Sequence, residues 1–281
     1  MTKVSGYGGG ELGADISVEA VSAEAEKLSR GAPDEATLLS LAGNDDYLHL
    51  RGLSAGYGKI EILHNIDLYV GRGQSLCLIG PNGAGKSTVL HAIFGLAAHL
   101  GGSIFLGGKD ISHLSANDKL SKAGIAYILQ DNSVFPDMTV EENLLMGGYI
   151  LPKDEAADAA ERVFAKYERL QNRRRERAGA LSGGERRLLE ISRALITSPS
   201  ILLVDEPSIG LEPRYIDMVF EILADLNKNE GKTIVMVEQN AKKGLAFADL
   251  GYVLTAGKLA LADTGDALLK NPDVERLFLG G

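Results

Sequence analysis

The chain has one cysteine and no tryptophan in 281 residues. It also lacks any run of about 18 apolar residues and any basic start followed by an apolar stretch. A single cysteine, Cys77, excludes an intrachain disulfide and points to a reducing compartment. Because it falls in an apolar run, Cys77 is expected to pack as a small hydrophobe. No helix-length apolar run means no spanning segment, and no leader means no export by that route; docking on a membrane protein stays open. Basic residues are outnumbered 29 to 38, for a net charge of −9. That balance argues against a general nucleic-acid binder, since phosphate contacts call for a basic face. Histidine is scarce too, with five in all and none after His113. What remains is an ordinary globular composition, 45% hydrophobic, with room for one large domain or a domain and an appendage.

The strongest local signal is Gly80, Pro81, Asn82, Gly83, Ala84, Gly85, Lys86, Ser87 and Thr88, which fits the phosphate-loop pattern G-x-x-x-x-G-K-[ST]. Residues 74–79 before it read as a buried strand and residues 88–96 after it as a helix, the context the motif requires. The glycines let the backbone turn tightly around one anion at a helix N-terminus. Lys86 can then reach the β- and γ-phosphates, and the Ser87 hydroxyl can bind Mg²⁺.

Residues 1–46 carry nine acids against three bases, so most of the negative charge sits in this arm. They read either as a docking or regulatory arm or as a mostly disordered acidic extension, and composition favours the latter. Val18, Val21, Ala25 and Leu28 make a helical stripe, and a second short helical pattern at residues 36–41 ends at Gly43. The ordered domain is expected to begin at Tyr47, with a strand at 47–53, a turn at Gly56-Tyr57-Gly58 and a second strand at 60–70. Tyr57 could stack on a base or simply pack. A hairpin at 102–108, a short helix from Ser115 and a strand at 124–130 follow, and Gln130 ends that strand where ligands of open α/β sheets lie. There it could touch the γ-phosphate, Mg²⁺ or water.

From Phe135 to Arg177 the pattern is helical, with Thr139 and Glu142 forming a capping box, and this insertion splits the nucleotide-binding sheet. The basic run Arg173-Arg174-Arg175-Glu176-Arg177 is expected to be a solvated helix face. Ser182 caps an amphipathic helix in Leu181-Ser182-Gly183-Gly184-Glu185. Residues 200–207 then give an apolar strand ending in Asp205 and Glu206, the Walker-B arrangement. Asp205 can hold the Mg²⁺ shell while Glu206 orients and deprotonates water. A helix at 213–227, a strand at 232–239 ending in Gln239, a helix at 241–248, two short strands at 251–261 and a helical tail complete the chain.

A phosphate loop, a strand-end glutamine, Leu-Ser-Gly-Gly-Glu and Asp-Glu-Pro in that order resemble the ATP-binding subunit of ABC transporters. The resemblance covers residues 48–281. It implies an α/β P-loop NTPase fold of the ABC type, with an antiparallel β subdomain and an inserted α-helical subdomain at about 131–195. It implies ATP and Mg²⁺ as ligands. Tyr57 would stack on adenine, Ser87, Gln130 and Asp205 would serve the metal, and Glu206, Gln130 and Gln239 would serve hydrolysis. Ser182, Gly183 and Gly184 would contact ATP on a second ATPase subunit. A narrower match lies in residues 134–144, in Val237-Glu238-Gln239-Asn240 and in the closing residues. It is similar to the branched-chain amino acid uptake subfamily, which implies permease partners, an indirect extracytoplasmic binding protein and a peripheral place on the cytoplasmic face of the plasma membrane. Alternatives are a lipid or polysaccharide exporter ATPase and a non-transport ABC ATPase. The sequence departs from the family at Gln239, where most members have histidine, and at Glu212, where aspartate is usual. It departs from the subfamily at Asp131-Asn132-Ser133. The acidic arm has no counterpart.

Overall fold

Two sheets divide the strands, and their edges decide where polar residues gather. The computed structural model describes residues 32–130 and 133–279. The stripe at residues 18–28, and Asp131 and Asn132, lie outside them. Helix α1 (Glu35–Leu41) precedes β1 (Leu48–Tyr57), β2 (Ile60–Val70), β3 (Ser75–Ile79), α2 (Lys86–Phe94), β4 (Ala98–Leu106) and β5 (Lys109–Asp110). Then come α3 (Ala116–Ser121), β6 (Ile125–Ile128), α4 (Val140–Gly147), α5 (Lys153–Lys166), α6 (Glu168–Asn172), α7 (Gly183–Leu195) and β7 (Ile201–Asp205). The chain continues through α8 (Pro213–Lys228), β8 (Thr233–Val237), α9 (Ala241–Phe247), β9 (Leu250–Thr255), β10 (Lys258–Thr264), α10 (Gly265–Leu269) and α11 (Pro272–Val274).

One sheet is antiparallel, in the order β2-β1-β4-β5. The other runs β10-β9-β3-β8-β7-β6, parallel except for β10. Its inner strands are apolar on both faces because both faces are covered. In β3, Leu76 and Leu78 join the core shared with the antiparallel sheet and α2. Cys77 and Ile79 point the other way, into a core closed by Val219 and Leu223 of α8 and Leu245 of α9. The period-2 alternation of strand side chains thus feeds two cores from one segment. Cys77 is fully buried, and burial pushes its thiol well above the ordinary value.

A third core, with Val140, Leu144, Phe164, Leu170, Leu188 and Leu189, belongs to the helical insertion. The expected helical stretch 135–177 is three helices, separated by the turn after Gly147 and by Tyr167. Thr139 and Glu142 form the capping box that the sequence shows. The insertion does not split the sheet in space, because β6 and β7 pair directly, Ile125 beside Ile201 and Ile128 beside Val204. It leaves and re-enters at the sheet's edge. The arginine run follows the end of α6 with Arg175, Glu176 and Arg177 exposed, as expected, and its partly buried members are ion-paired. Arg174 donates to Glu141 at 2.6 Å and to Glu161 at 2.5 Å, and Arg173 donates to Glu176 at 2.8 Å.

Part of the expected flexible arm is packed. Asp34 accepts from the Thr37 amide at 2.9 Å and starts α1, and Leu38 is fully buried beside β2 and β10. Glu35 accepts from the Tyr69 hydroxyl at 2.7 Å and from Arg51 at 3.0 Å. Asp45 accepts from the Arg72 amide at 2.8 Å. The acids that suggested solvation at residues 34–46 are partners of these folded elements. The expected turn at Gly56-Tyr57-Gly58 also shifts: β1 runs on through Tyr57 and turns at Gly58 and Lys59.

Candidate active site

Parallel strands β3, β6, β7 and β8 all end at one edge of their sheet, so the residues that follow them are brought together without being neighbours in sequence. After β3 the backbone takes positive φ at Gly80 (146°), Gly83 (79°) and Gly85 (95°). A side chain at Gly80 would place its Cβ 2.2 Å from the Leu254 carbonyl oxygen, so only glycine fits there. Ala84 is buried, and its carbonyl accepts from the Gly257 amide at 3.0 Å, which ties the loop to the β9–β10 turn. Lys86 opens α2 and folds back over the loop, its Nζ donating to the carbonyls of Gly80 and Pro81 at 3.0 Å each. Burial holds its ammonium below the ordinary lysine value, against an opposing pull from Glu206 and Asp205. Asn82, Gly83 and residues 85–88 of the loop line an open hollow with Tyr57, Ile62 and Glu206, with a volume of about 390 Å³.

Asp205, buried at the end of β7, faces the loop. Its Oδ1 accepts from the Ser87 hydroxyl at 3.0 Å and its Oδ2 from the Tyr127 hydroxyl at 2.8 Å. Burial and Asp205 itself push the Tyr127 phenol far up, so it serves as a donor. Glu206 has a positive φ of 43°, a conformation uncommon for a residue with a side chain. Its amide is held by the Val237 carbonyl at 2.9 Å. Gln130 donates from Nε2 to Glu206 Oε2 at 3.1 Å, so the strand-end amide meets the strand-end carboxylate. Gln239 stands exposed beyond β8 and does not line the hollow.

Tyr57 stands at the rim, 44% exposed, as a base-stacking ring would have to be. Its hydroxyl is bonded to His91 Nδ1, and burial holds His91 below its ordinary pKa. The His91 ring in turn meets Tyr127 edge-on at 5.7 Å. Side-chain contacts therefore run without a break from Tyr57 through His91 and Tyr127 to Asp205. Neither His91 nor Tyr127 stood out in the sequence, since each reads as packing.

Ser182 caps α7 as expected, and Glu185 completes a capping box: the Glu185 amide donates to Ser182 Oγ at 3.3 Å and the Ser182 amide donates to Glu185 at 2.9 Å. Ser182, Gly183 and Gly184 do not line the hollow around Lys86. Gly184 is packed under Tyr215 of α8. Glu212 is exposed at the N-cap of α8 and pairs with Arg214 at 3.1 Å. One buried charge beside these strand ends escaped the sequence reading. Arg187 is buried on α7, and its signal was a charged residue on the stripe Gly184, Arg187, Leu188, Ile191.

A phosphate loop under a Walker-B aspartate on a parallel sheet, with an antiparallel sheet and a helical insertion, defines a nucleotide-hydrolysing cassette. The ABC transporter family profile matches residues 63–209. The chain is 44% identical over 229 residues to the high-affinity branched-chain amino acid transport ATP-binding protein BraG of Pseudomonas aeruginosa, covering 82% of this chain and 97% of that protein. Among solved structures, a nucleotide-free ATP-binding cassette from an ABC transporter superposes with a TM-score of 0.73 at 28% identity, covering 84% of this chain and 99% of the other. A dimeric post-hydrolysis cassette bound to ADP and phosphate gives a TM-score of 0.67 at 26% identity, covering 77% and 98%. The chain belongs to the ABC transporter family, as its ATP-hydrolysing, energy-coupling subunit.

Proposed function

We propose that this chain energises the uptake of branched-chain or related amino acids, working as one of two ATPase subunits beneath a pair of permease chains. One observation carries the hydrolytic part: Asp205 is shared with Ser87 of the phosphate loop, while the next residue, Glu206, lines the same hollow and meets Gln130. The match to a branched-chain amino acid transport protein along nearly its whole length supports the cargo. The likeness to a transport ATP-binding protein supports a place at the cytoplasmic face, held there by its partners; no helix among the described residues is long and apolar enough to cross a membrane.

Ser87 Oγ and the Asp205 carboxylate are two hard oxygen donors side by side, and no group of three or more His, Cys, Asp or Glu side chains that could cage a metal occurs among the described residues. That set fits Mg²⁺, which takes one or two protein oxygens and completes its shell with phosphates and water. Gln130 would join through its amide oxygen. When bound, the ion offsets phosphate charge. Lys86 would leave the Gly80 and Pro81 carbonyls for the β- and γ-phosphate oxygens, and Tyr57 would lie against adenine. Glu206 would take the proton of the attacking water, held in place by Gln130. Gln239 does not titrate and would only hydrogen-bond the γ-phosphate or water, which leaves the base role to Glu206. The separation of Ser182–Gly184 from the hollow supports a composite site, in which these residues cover ATP held by the second subunit.

Glu206→Gln should keep ATP binding and lower turnover by about 100-fold or more, with an ATP-bound dimer accumulating on size exclusion. Normal turnover would remove Glu206 from the base role. For the cargo, loss of the chain from its source cell should abolish high-affinity uptake of labelled leucine, and unchanged uptake would overturn that assignment.

A further inference from the structure

Helix α7 buries two charges in contact with each other, Arg187 at 4% exposure and Glu190 at 7%. Arg187 Nη1 donates to Glu190 Oε2 at 2.8 Å and to the Leu129 carbonyl at 2.7 Å, and Nη2 donates to the Asp205 carbonyl at 3.4 Å. Those two carbonyls belong to the residues immediately before Gln130 and Glu206. One guanidinium is therefore anchored to both strand ends whose next side chains meet at 3.1 Å.

Stability is a weak explanation for this arrangement. Taking two ions out of water offsets most of their attraction, so an apolar pair of similar volume would hold the helix as well. The Arg187 Nε is also buried without a hydrogen-bond partner among the described residues, which adds to the cost. What an apolar pair cannot do is fix two carbonyls at once. A planar guanidinium donates in set directions, and an ammonium does not.

We propose that Arg187 is a positioning residue for ATP hydrolysis. It holds Gln130 and Glu206 in register with each other and ties both to the helix that begins at Ser182. This rests on the reading that Gln130 and Glu206 serve hydrolysis. Arg187 itself does not touch nucleotide in this role; the effect passes through the backbone at positions 129 and 205.

Two variants of the full-length chain test it. Arg187→Met with Glu190→Leu removes the whole ion pair and leaves no unpaired charge; Arg187→Lys keeps the charge and loses the fork. The double variant should melt at or above the wild-type temperature and bind ADP within about twofold of wild type. Its KM for ATP should hardly change while its kcat falls about 10- to 100-fold, the penalty expected for misplacing reacting groups by about an ångström. Arg187→Lys should fall between. A folded double variant with wild-type kcat overturns the proposal, and so does a loss of kcat matched by an equal loss of ADP affinity. If the double variant does not fold, Arg187→Lys decides, and wild-type kcat there overturns it equally. Glu206→Gln run alongside separates the two claims. If it turns over normally, the base assignment fails and the positioning role fails with it. If it is inactive while the Arg187 variants are fully active, only the positioning role fails.

Discussion

Gly184 offers a test in which the expected sign reverses between two backgrounds. An alanine there would place its Cβ 2.1 Å from Tyr215 Cδ1, 2.5 Å from Cγ and 2.6 Å from Cε1. Carbon atoms rest at about 3.5–4.0 Å, so the ring must withdraw by roughly 1.5 Å. Tyr215 sits in the first turn of α8 with the Arg214 guanidinium 4.6 Å from its ring centroid, and it is only partly buried, so it can swing outward. Overpacking of this kind costs about 1–3 kcal/mol. Against that, alanine is a better helix former than glycine by up to about 1 kcal/mol. The net expectation for Gly184→Ala is about 1–2 kcal/mol of lost stability, or a melting point lower by roughly 2–8 °C for a chain of this size. In a Tyr215→Ala background the obstruction is gone and only the helix propensity remains, so the same substitution should be neutral or stabilising. Urea unfolding of the four proteins closes the cycle. Equal destabilisation in both backgrounds would refute the steric account.

Leu38→Ala should cost about 2–5 kcal/mol, because the side chain is fully buried between α1 and both sheets; an unchanged melting point would place α1 outside the core. Lys119 is fully buried, and burial pushes its ammonium down to about 8 from the ordinary value near 10.5. The unfolded chain then binds more protons than the native one between those values, so stability rises with pH across that window and the penalty is fully present below it. Lys119→Met should flatten the rise in urea midpoint between about pH 7.5 and 9.5, and an equal slope in both proteins would reject this. Tyr127→Phe removes the donor to Asp205 Oδ2 but keeps the ring against His91 and Phe94. It should weaken Mn²⁺ binding in the presence of ADP by about 10-fold, read by electron paramagnetic resonance; unchanged binding would show that Ser87 alone orients Asp205.

What was legible from the residues is what is local. The phosphate loop needs only glycines at set spacings between a strand and a helix, and the capping box at Thr139 needs only four consecutive positions. Asp205 and Glu206 could be placed because the apolar run before them ends abruptly. What escaped depends on approaches across the fold. Arg187 finds its two carbonyl acceptors 58 and 18 positions away, and nothing in its own neighbourhood names them. Gln130 could be put at a strand end, but its contact with Glu206 follows from β6 lying directly beside β7 despite the long insertion between them. Composition misled once: acids at residues 34–46 looked like those of a solvated arm, although Glu35 and Asp45 are held by Tyr69, Arg51 and the Arg72 amide.

The docking of α1 also has a consequence in time. Leu38 shares its core with Leu259 and Ala262 of β10, so an element near the start of the described chain rests on a strand near its end. Translation at about 5–20 residues per second separates the two by roughly 10–45 s. During that interval the leucines of α1 lack part of their final contact surface, and the growing chain carries an apolar segment ahead of its destination. The strand β2, made soon after α1, can receive it early, and its packing would be completed only when β10 arrives.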